Sequence, residues 1–88
     1  MIWVTKAKYL SDFKVDVTFS TGELFTIDLK DELTGEIFKA LQDPKVFATL
    51  KYETELDTIV WENGADFAPE FLYELASEQM QKKEQALP

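Results

Sequence analysis

Polar and apolar residues alternate with period two through the first third of the chain. Phe13, Val15, Val17 and Phe19 are separated by Lys14, Asp16 and Thr18, the mark of a half-buried strand. Phe25, Ile27 and Leu29 repeat the pattern, with Thr26 and Asp28 facing the other way. Trp3, Thr5, Ala7 and Tyr9 follow it more weakly, opposed by Val4, Lys6 and Lys8. Register then selects the connections. A loop of Thr21-Gly22 alone sets Phe19 opposite Leu24 and throws the two apolar sets onto opposite faces. A loop of Ser20-Thr21-Gly22 sets Val17 against Phe25 and Val15 against Ile27, and it puts glycine where a left-handed conformation is needed. The same parity favours a Leu10-Ser11-Asp12 loop, with Tyr9 against Phe13 and Ala7 against Val15. The expectation is an antiparallel meander with one apolar face, and with Lys6, Lys8, Lys14, Asp16, Thr26 and Asp28 on the open one.

After Leu29 the period changes. Ile37, Phe38 and Leu41 have helical spacing, and Asp43-Pro44 starts a second short turn with Val46, Phe47 and Leu50 on its apolar side. Segments 51–55 and 58–61 read as two short strands joined near Leu56-Asp57. The strongest helix comes last: Ala68, Phe71, Leu72, Leu75, Ala76 and Met80 form its apolar stripe, and Glu70, Glu74, Glu78 and Gln81 fall elsewhere. Asp66 and Pro69 suit its first turn, Glu70 the positive end of its dipole, and Lys82 and Lys83 the negative end. Such a helix covers the apolar face of a sheet, the usual two-layer arrangement. The fold class is therefore α+β: an antiparallel meander, a short helical crossover, two further short strands and a C-terminal amphipathic helix. One domain over residues 1–83 is expected, with 84–88 as a frayed tail.

Composition narrows the function. The 88 residues hold no His, Cys or Arg, and all nine cations are lysine. Without His and Cys there is no nucleophilic triad, thiol chemistry, ordinary zinc site or imidazole acid–base catalysis. Without Arg there is no bidentate clamp on phosphate and no arginine reading of guanine. A non-enzymatic protein without cofactor or metal is the expectation. The formal net charge is −8: residues 1–44 carry 5 lysines against 8 acids, and residues 45–88 carry 4 against 9. Neither half is basic, so nucleic acid is a poor partner for this domain alone; solubility is the plainer reading of the acidity, and a basic protein partner the sharper one. No apolar run spans a bilayer, and the N-terminus lacks the apolar core and cleavage site of a signal peptide; a cytoplasmic location without membrane contact is expected.

The densest segment is Trp61-Glu62-Asn63-Gly64-Ala65-Asp66-Phe67-Ala68-Pro69-Glu70-Phe71-Leu72-Tyr73. Asn63-Gly64 reverses the chain out of a strand, Asp66 accepts N–H groups of the following turn, and Pro69 presets the helical φ. Trp61 and Tyr73 pack across the corner in this reading, with their polar tips bonded nearby. Trp61, Asn63, Gly64, Asp66, Pro69 and Tyr73 are thus either a structural corner or a partner-binding one, since Trp and Tyr often anchor interfaces.

Together with the meander from Val15 to Glu23, Ile27-Asp28-Leu29, and Phe38 to Leu41 with Asp43 and Phe47, this segment resembles the family called domain of unknown function 2442. The resemblance runs over roughly residues 4 to 74. It implies a small bacterial α+β protein; some members are continued by a helix-turn-helix domain, and others are antitoxin-like partners of small toxins. Too little sequence follows the last helix for a second domain, so the unfused form is expected here.

Other residue groups carry weaker signals. Asp28, Asp31, Glu32 and Glu36, and again Glu62, Asp66 and Glu70, are carboxylate clusters without the spacing of a calcium loop. A solvated surface explains them better than an enzyme using Asp28 or Asp66 with a divalent ion. Lys6, Lys8 and Lys14 are the local case for a nucleic-acid-associated regulator, weakened by the interleaved acids. Met80 and Leu87 lie where the helix outruns the sheet, which makes a homodimer conceivable. The leading expectation is a protein-interaction module, antitoxin-like or regulatory, whose partner is a small basic protein.

Overall fold

The computed structural model describes residues 1–85, with side chains through Lys83. The order is β1 (Val4–Ser11), β2 (Lys14–Phe19), β3 (Leu24–Asp28), a 3-10 turn (Lys30–Glu32), α1 (Glu36–Lys39), a second 3-10 turn (Ala40–Gln42), α2 (Pro44–Phe47), β4 (Lys51–Glu53), β5 (Thr58–Val60) and α3 (Pro69–Gln85). The protein is α+β. Strands β1-β2-β3 form an antiparallel meander, and β4-β5 form a separate antiparallel pair. Helix α3 continues through Gln85, past the boundary expected at 83; residues 86–88, the rest of the expected tail, lie outside the described residues.

The β2–β3 register is the one parity selects, with Val15 opposite Ile27 and Val17 opposite Phe25. Gly22 closes the connection at φ 90°. The β1–β2 connection differs from the expected loop. Tyr9 lies opposite Val15 and Ala7 opposite Val17, two residues out of the expected register, and the reversal is a tight turn at Asp12 and Phe13 with φ 50° and 65°. Parity survives because a shift of two keeps every side chain on its face. Phe13 leaves the strand and sets its ring edge-on to Phe47, with centroids 5.1 Å apart.

Strand β1 also departs from simple alternation. Its pairing slips between Val4 and Lys6, an irregularity that leaves Thr5 as the extra residue. Side chains before it change face: Val4 is fully buried opposite Phe19, whereas Trp3 and Thr5, expected on the apolar side, are exposed. A period-two reading cannot see such a slip from one strand alone.

The core joins Val4, Val15, Val17, Phe19, Ile27 and Leu29 of the meander to Leu33, Leu41, Phe47, Ile59, Trp61, Phe67, Leu72 and Ala76. Its cover is shared. Helix α3 lies against β3, while Phe47 of α2 covers the β1–β2 end through Tyr9 and Phe13. Asp43 caps α2 by accepting the Lys45 N–H at 3.0 Å, with Pro44 in the first helical position, as expected. Because α3 meets only one side of the sheet, its buried stripe narrows to Leu72 and Ala76; Ala68, Phe71 and Met80 are exposed. Ile37 and Val46 are likewise exposed.

Candidate functional site

The segment singled out by sequence folds into a corner between β5 and α3. The Trp61 N–H donates to the Ala65 carbonyl at 2.9 Å, and the Gly64 N–H to the Trp61 carbonyl at 3.0 Å. Gly64 has φ 89°, so the turn needs a residue without a Cβ penalty there. The Asn63 side chain works in two directions: its oxygen accepts the Ala65 N–H at 3.0 Å, and its Nδ2 donates to the Ile37 carbonyl at 2.8 Å. The corner is thereby fastened to α1.

Trp61 is buried, and its indole Nε1–H donates to the Phe47 carbonyl at 2.9 Å. Its ring contacts Phe47 and Phe67, at 5.4 and 5.9 Å between centroids. Thr58, a buried hydroxyl without any warning in the sequence pattern, donates to the Phe67 carbonyl. Among the described residues no buried side-chain polar atom lacks a partner. The side-chain bonds of Trp61, Asn63 and Thr58 all run to backbone groups of this corner and of the two short helices beside it.

Two of the expected roles change. Asp66 forms an antiparallel bridge with Val60, and among the described residues its carboxylate makes no hydrogen bond; it stands too far ahead of Pro69 to cap α3, whose first-turn bond runs from the Leu72 N–H to the Ala68 carbonyl. Tyr73 does not meet Trp61. It lies one turn into α3, where its ring stands edge-on to Phe19 at 5.1 Å and Phe25 at 6.0 Å. Its hydroxyl donates to Glu23 Oε1 at 2.6 Å. That bond, helped by Thr21 Oγ1, holds the Glu23 carboxyl below its ordinary value of 4.5, and it raises the Tyr73 phenol above its ordinary 10.0. Trp61, Asn63 and Gly64 thus form one cluster, Pro69 begins the helix, and Tyr73 belongs to the β2–β3 turn.

The remaining candidates lie on the surface. Lys8 stands opposite Asp16, and Lys14 opposite Asp28, so each of these lysines faces a carboxylate across the strand pair. The Thr26 hydroxyl also donates to Asp16 at 2.6 Å. A shallow cavity of about 510 Å³ opens on this face beside Lys6, Lys8, Asp16, Leu24 and Tyr52. The β3 edge is closed at Asp28 by Gln79, whose side-chain amide accepts the Asp28 N–H at 2.9 Å and donates to its carbonyl at 2.8 Å. Gln79 stands in for a neighbouring strand residue, and nothing in the sequence pattern announces it. Among the described residues no group of three or more carboxylates is placed to hold a metal ion. No described helix is long and apolar enough to cross a membrane.

A family model for proteins of unknown function, DUF2442, matches residues 4–78. The chain belongs to the DUF2442 family. The match takes in the whole meander, the crossover, the corner and most of α3. Among solved structures, the crystal structure of a putative DNA-binding protein from Nitrosomonas europaea ATCC 19718 shares the DUF2442 chain's fold, with a TM-score of 0.78 and 26% identity. The likeness covers 92% of this chain and 52% of that one, so the chain spans about half the length of this neighbour. No curated protein matches the sequence.

Proposed function

We propose that this DUF2442 domain is a non-enzymatic protein-interaction module, an antitoxin-like or regulatory partner of a small basic protein. The supporting observation is its uncompensated acidity. Against a net charge of −8, the described residues contain one ion pair, Lys51 with Glu62 at 3.5 Å, and both of its side chains are largely exposed. Such a pair neutralises little. An acidic surface left open in this way attracts a basic partner and repels a polyanion. The Trp-Asn-Gly corner contributes rigidity rather than contact, because its polar groups are spent internally.

Affinity purification of the tagged protein from its own host, with mass spectrometry of what co-elutes, tests this reading. One stoichiometric small protein rich in lysine and arginine is the expected result. A solitary protein at micromolar concentration, or a eluate dominated by nucleic acid, overturns it.

A nucleic-acid-associated regulator is the second reading, favoured by the neighbour described as a putative DNA-binding protein. For this domain by itself the net charge of −8, and carboxylates opposite Lys8 and Lys14 in the strand register, speak against it. Binding to DNA that weakens steeply with salt is what this reading requires of the isolated chain.

A further inference from the structure

Glu74 and Glu78 stand one turn apart on α3, with Phe71 and Leu75 beside them. Two cavities open along that side of the helix. One, about 350 Å³, is bordered by Asp31, Glu32, Leu75 and Glu78, with Lys82 at its far end. The other, about 170 Å³, is bordered by Glu32, Phe71, Glu74, Leu75 and Glu78. They share Glu32, Leu75 and Glu78, so they join into a single groove between α3 and the turn that follows β3. Its two walls come from different elements, and both are acidic up to Lys82, which stands one turn beyond Glu78. Its floor is apolar: Leu75 is half-buried, and Phe71 is 39% exposed.

Phe71 is also held firmly. Phe38 stacks on Phe67 at 4.8 Å, and Phe67 stacks on Phe71 at 5.6 Å, so the exposed ring is the open end of an aromatic column. A fixed aromatic surface between acidic walls is an unfinished interface rather than a stray exposed side chain.

We propose that this groove docks a basic amphipathic helix of the partner, with apolar side chains on Leu75 and Phe71 and lysine or arginine between the two acidic walls. The inference rests on the interaction-module reading and supplies its surface. Charge complementarity identifies the occupant. None of Asp31, Glu32, Glu74 and Glu78 is in an ion pair among the described residues, and they are spread along the groove rather than gathered round one ion. Several cations in a row match that spread. From Phe71 to Lys82 the helix advances about 16 Å, the length of roughly three turns of a partner helix. A second copy of this chain is a poor occupant, because it brings the same −8 charge to the contact.

The test is an NMR titration of the full chain with two synthetic probes: a leucine–lysine amphipathic helix of about 18 residues, and an oligolysine with the same number of lysines. The amphipathic peptide is expected to bind saturably, moving the amides of residues 71–78 and 31–32, with the oligolysine about tenfold weaker or more. Phe71→Ala, and separately the double change Glu74→Lys with Glu78→Lys, should each weaken the amphipathic peptide about tenfold. The control Glu53→Lys with Glu55→Lys, an equal change in charge on the β4–β5 side, should weaken it much less. Circular dichroism checks that each variant is folded. Equal binding of both probes, shifts scattered over the whole acidic surface, or equal losses in the two double variants overturn the groove. A captured natural partner that still binds the Glu74→Lys, Glu78→Lys protein overturns the groove while leaving the interaction module standing.

Discussion

Two turns in this molecule share one backbone design. At residues 19–23 the Phe19 N–H donates to the Glu23 carbonyl and the Gly22 N–H to the Phe19 carbonyl, both at 2.9 Å. At residues 61–65 the Trp61 N–H donates to the Ala65 carbonyl at 2.9 Å, and the Gly64 N–H to the Trp61 carbonyl at 3.0 Å. The glycines have φ 90° and 89°. What fastens the turns differs. The second is tied to the interior by uncharged bonds onto carbonyls, from Trp61 to Phe47 and from Asn63 to Ile37. The first is tied to α3 at the surface by an ionisable pair, Tyr73 with Glu23. One local grammar thus serves a brace in one place and a titratable latch in the other.

Removing the brace is expected to have the largest effect. Trp61→Ala empties a buried site and strands the Phe47 carbonyl, which should cost about 3–5 kcal/mol in urea unfolding. Trp61→Phe keeps most of the ring contact and isolates the lost N–H, for about 1–3 kcal/mol. If Trp61→Phe unfolds at the wild-type urea midpoint, the indole bond is not holding the corner. Next come the glycines. Neither site lacks room for a Cβ: nothing lies within 4 Å at Gly22, and at Gly64 the nearest atom is Ile37 Cδ1 at 3.9 Å. Only the left-handed backbone penalises alanine, so Gly22→Ala and Gly64→Ala should lose similar amounts, about 1–2 kcal/mol each. Unequal losses would mean that the shared hydrogen-bond pattern hides different strain. Asn63→Ala removes both bonds of an exposed side chain and should cost about 1 kcal/mol.

Much of this comparison is legible in the sequence alone, and the limits have physical causes. The β2–β3 register follows from parity together with turn chemistry: a two-residue loop splits Val15, Val17, Phe25 and Ile27 between faces, whereas a three-residue loop keeps them on one and puts Gly22 at the left-handed position. The Asn63-Gly64 reversal follows from turn chemistry. Val4 was lost because the irregularity at Thr5 lies in a strand too weakly patterned to reveal it. Pairing Trp61 with Tyr73 failed because closeness in sequence says nothing about which side of a helix faces which partner; Tyr73 crosses 50 residues to reach Glu23. The expected apolar stripe of α3 was too wide, since Phe71 fits the helical period equally well whether it meets the core or the solvent. The exposure of Phe71 beside Glu74 and Glu78 is visible only in the fold.

The latch should give the smallest effect, and its dependence on pH sets it apart from the brace. The Tyr73 hydroxyl lowers the Glu23 carboxyl from 4.5, so the contribution of Glu23 is complete above that value and fades as pH falls through the lower folded value. The Tyr73 phenol is raised above 10.0 by the same bond, so its contribution is complete below 10.0 and fades as pH rises through the folded value. Tyr73→Phe keeps the ring against Phe19 and Phe25 and removes only the hydroxyl. The stability difference between wild type and Tyr73→Phe should therefore be flat across neutral pH and close at both ends. The difference between wild type and Trp61→Phe should stay level through the same range, because no carboxylate or phenol takes part in the indole bond. Urea midpoints of the three proteins across an acid-to-alkaline series measure both. A Tyr73→Phe difference that does not shrink in acid would show that the tyrosine holds the turn by its ring alone, and the two turns would then differ in depth rather than in chemistry.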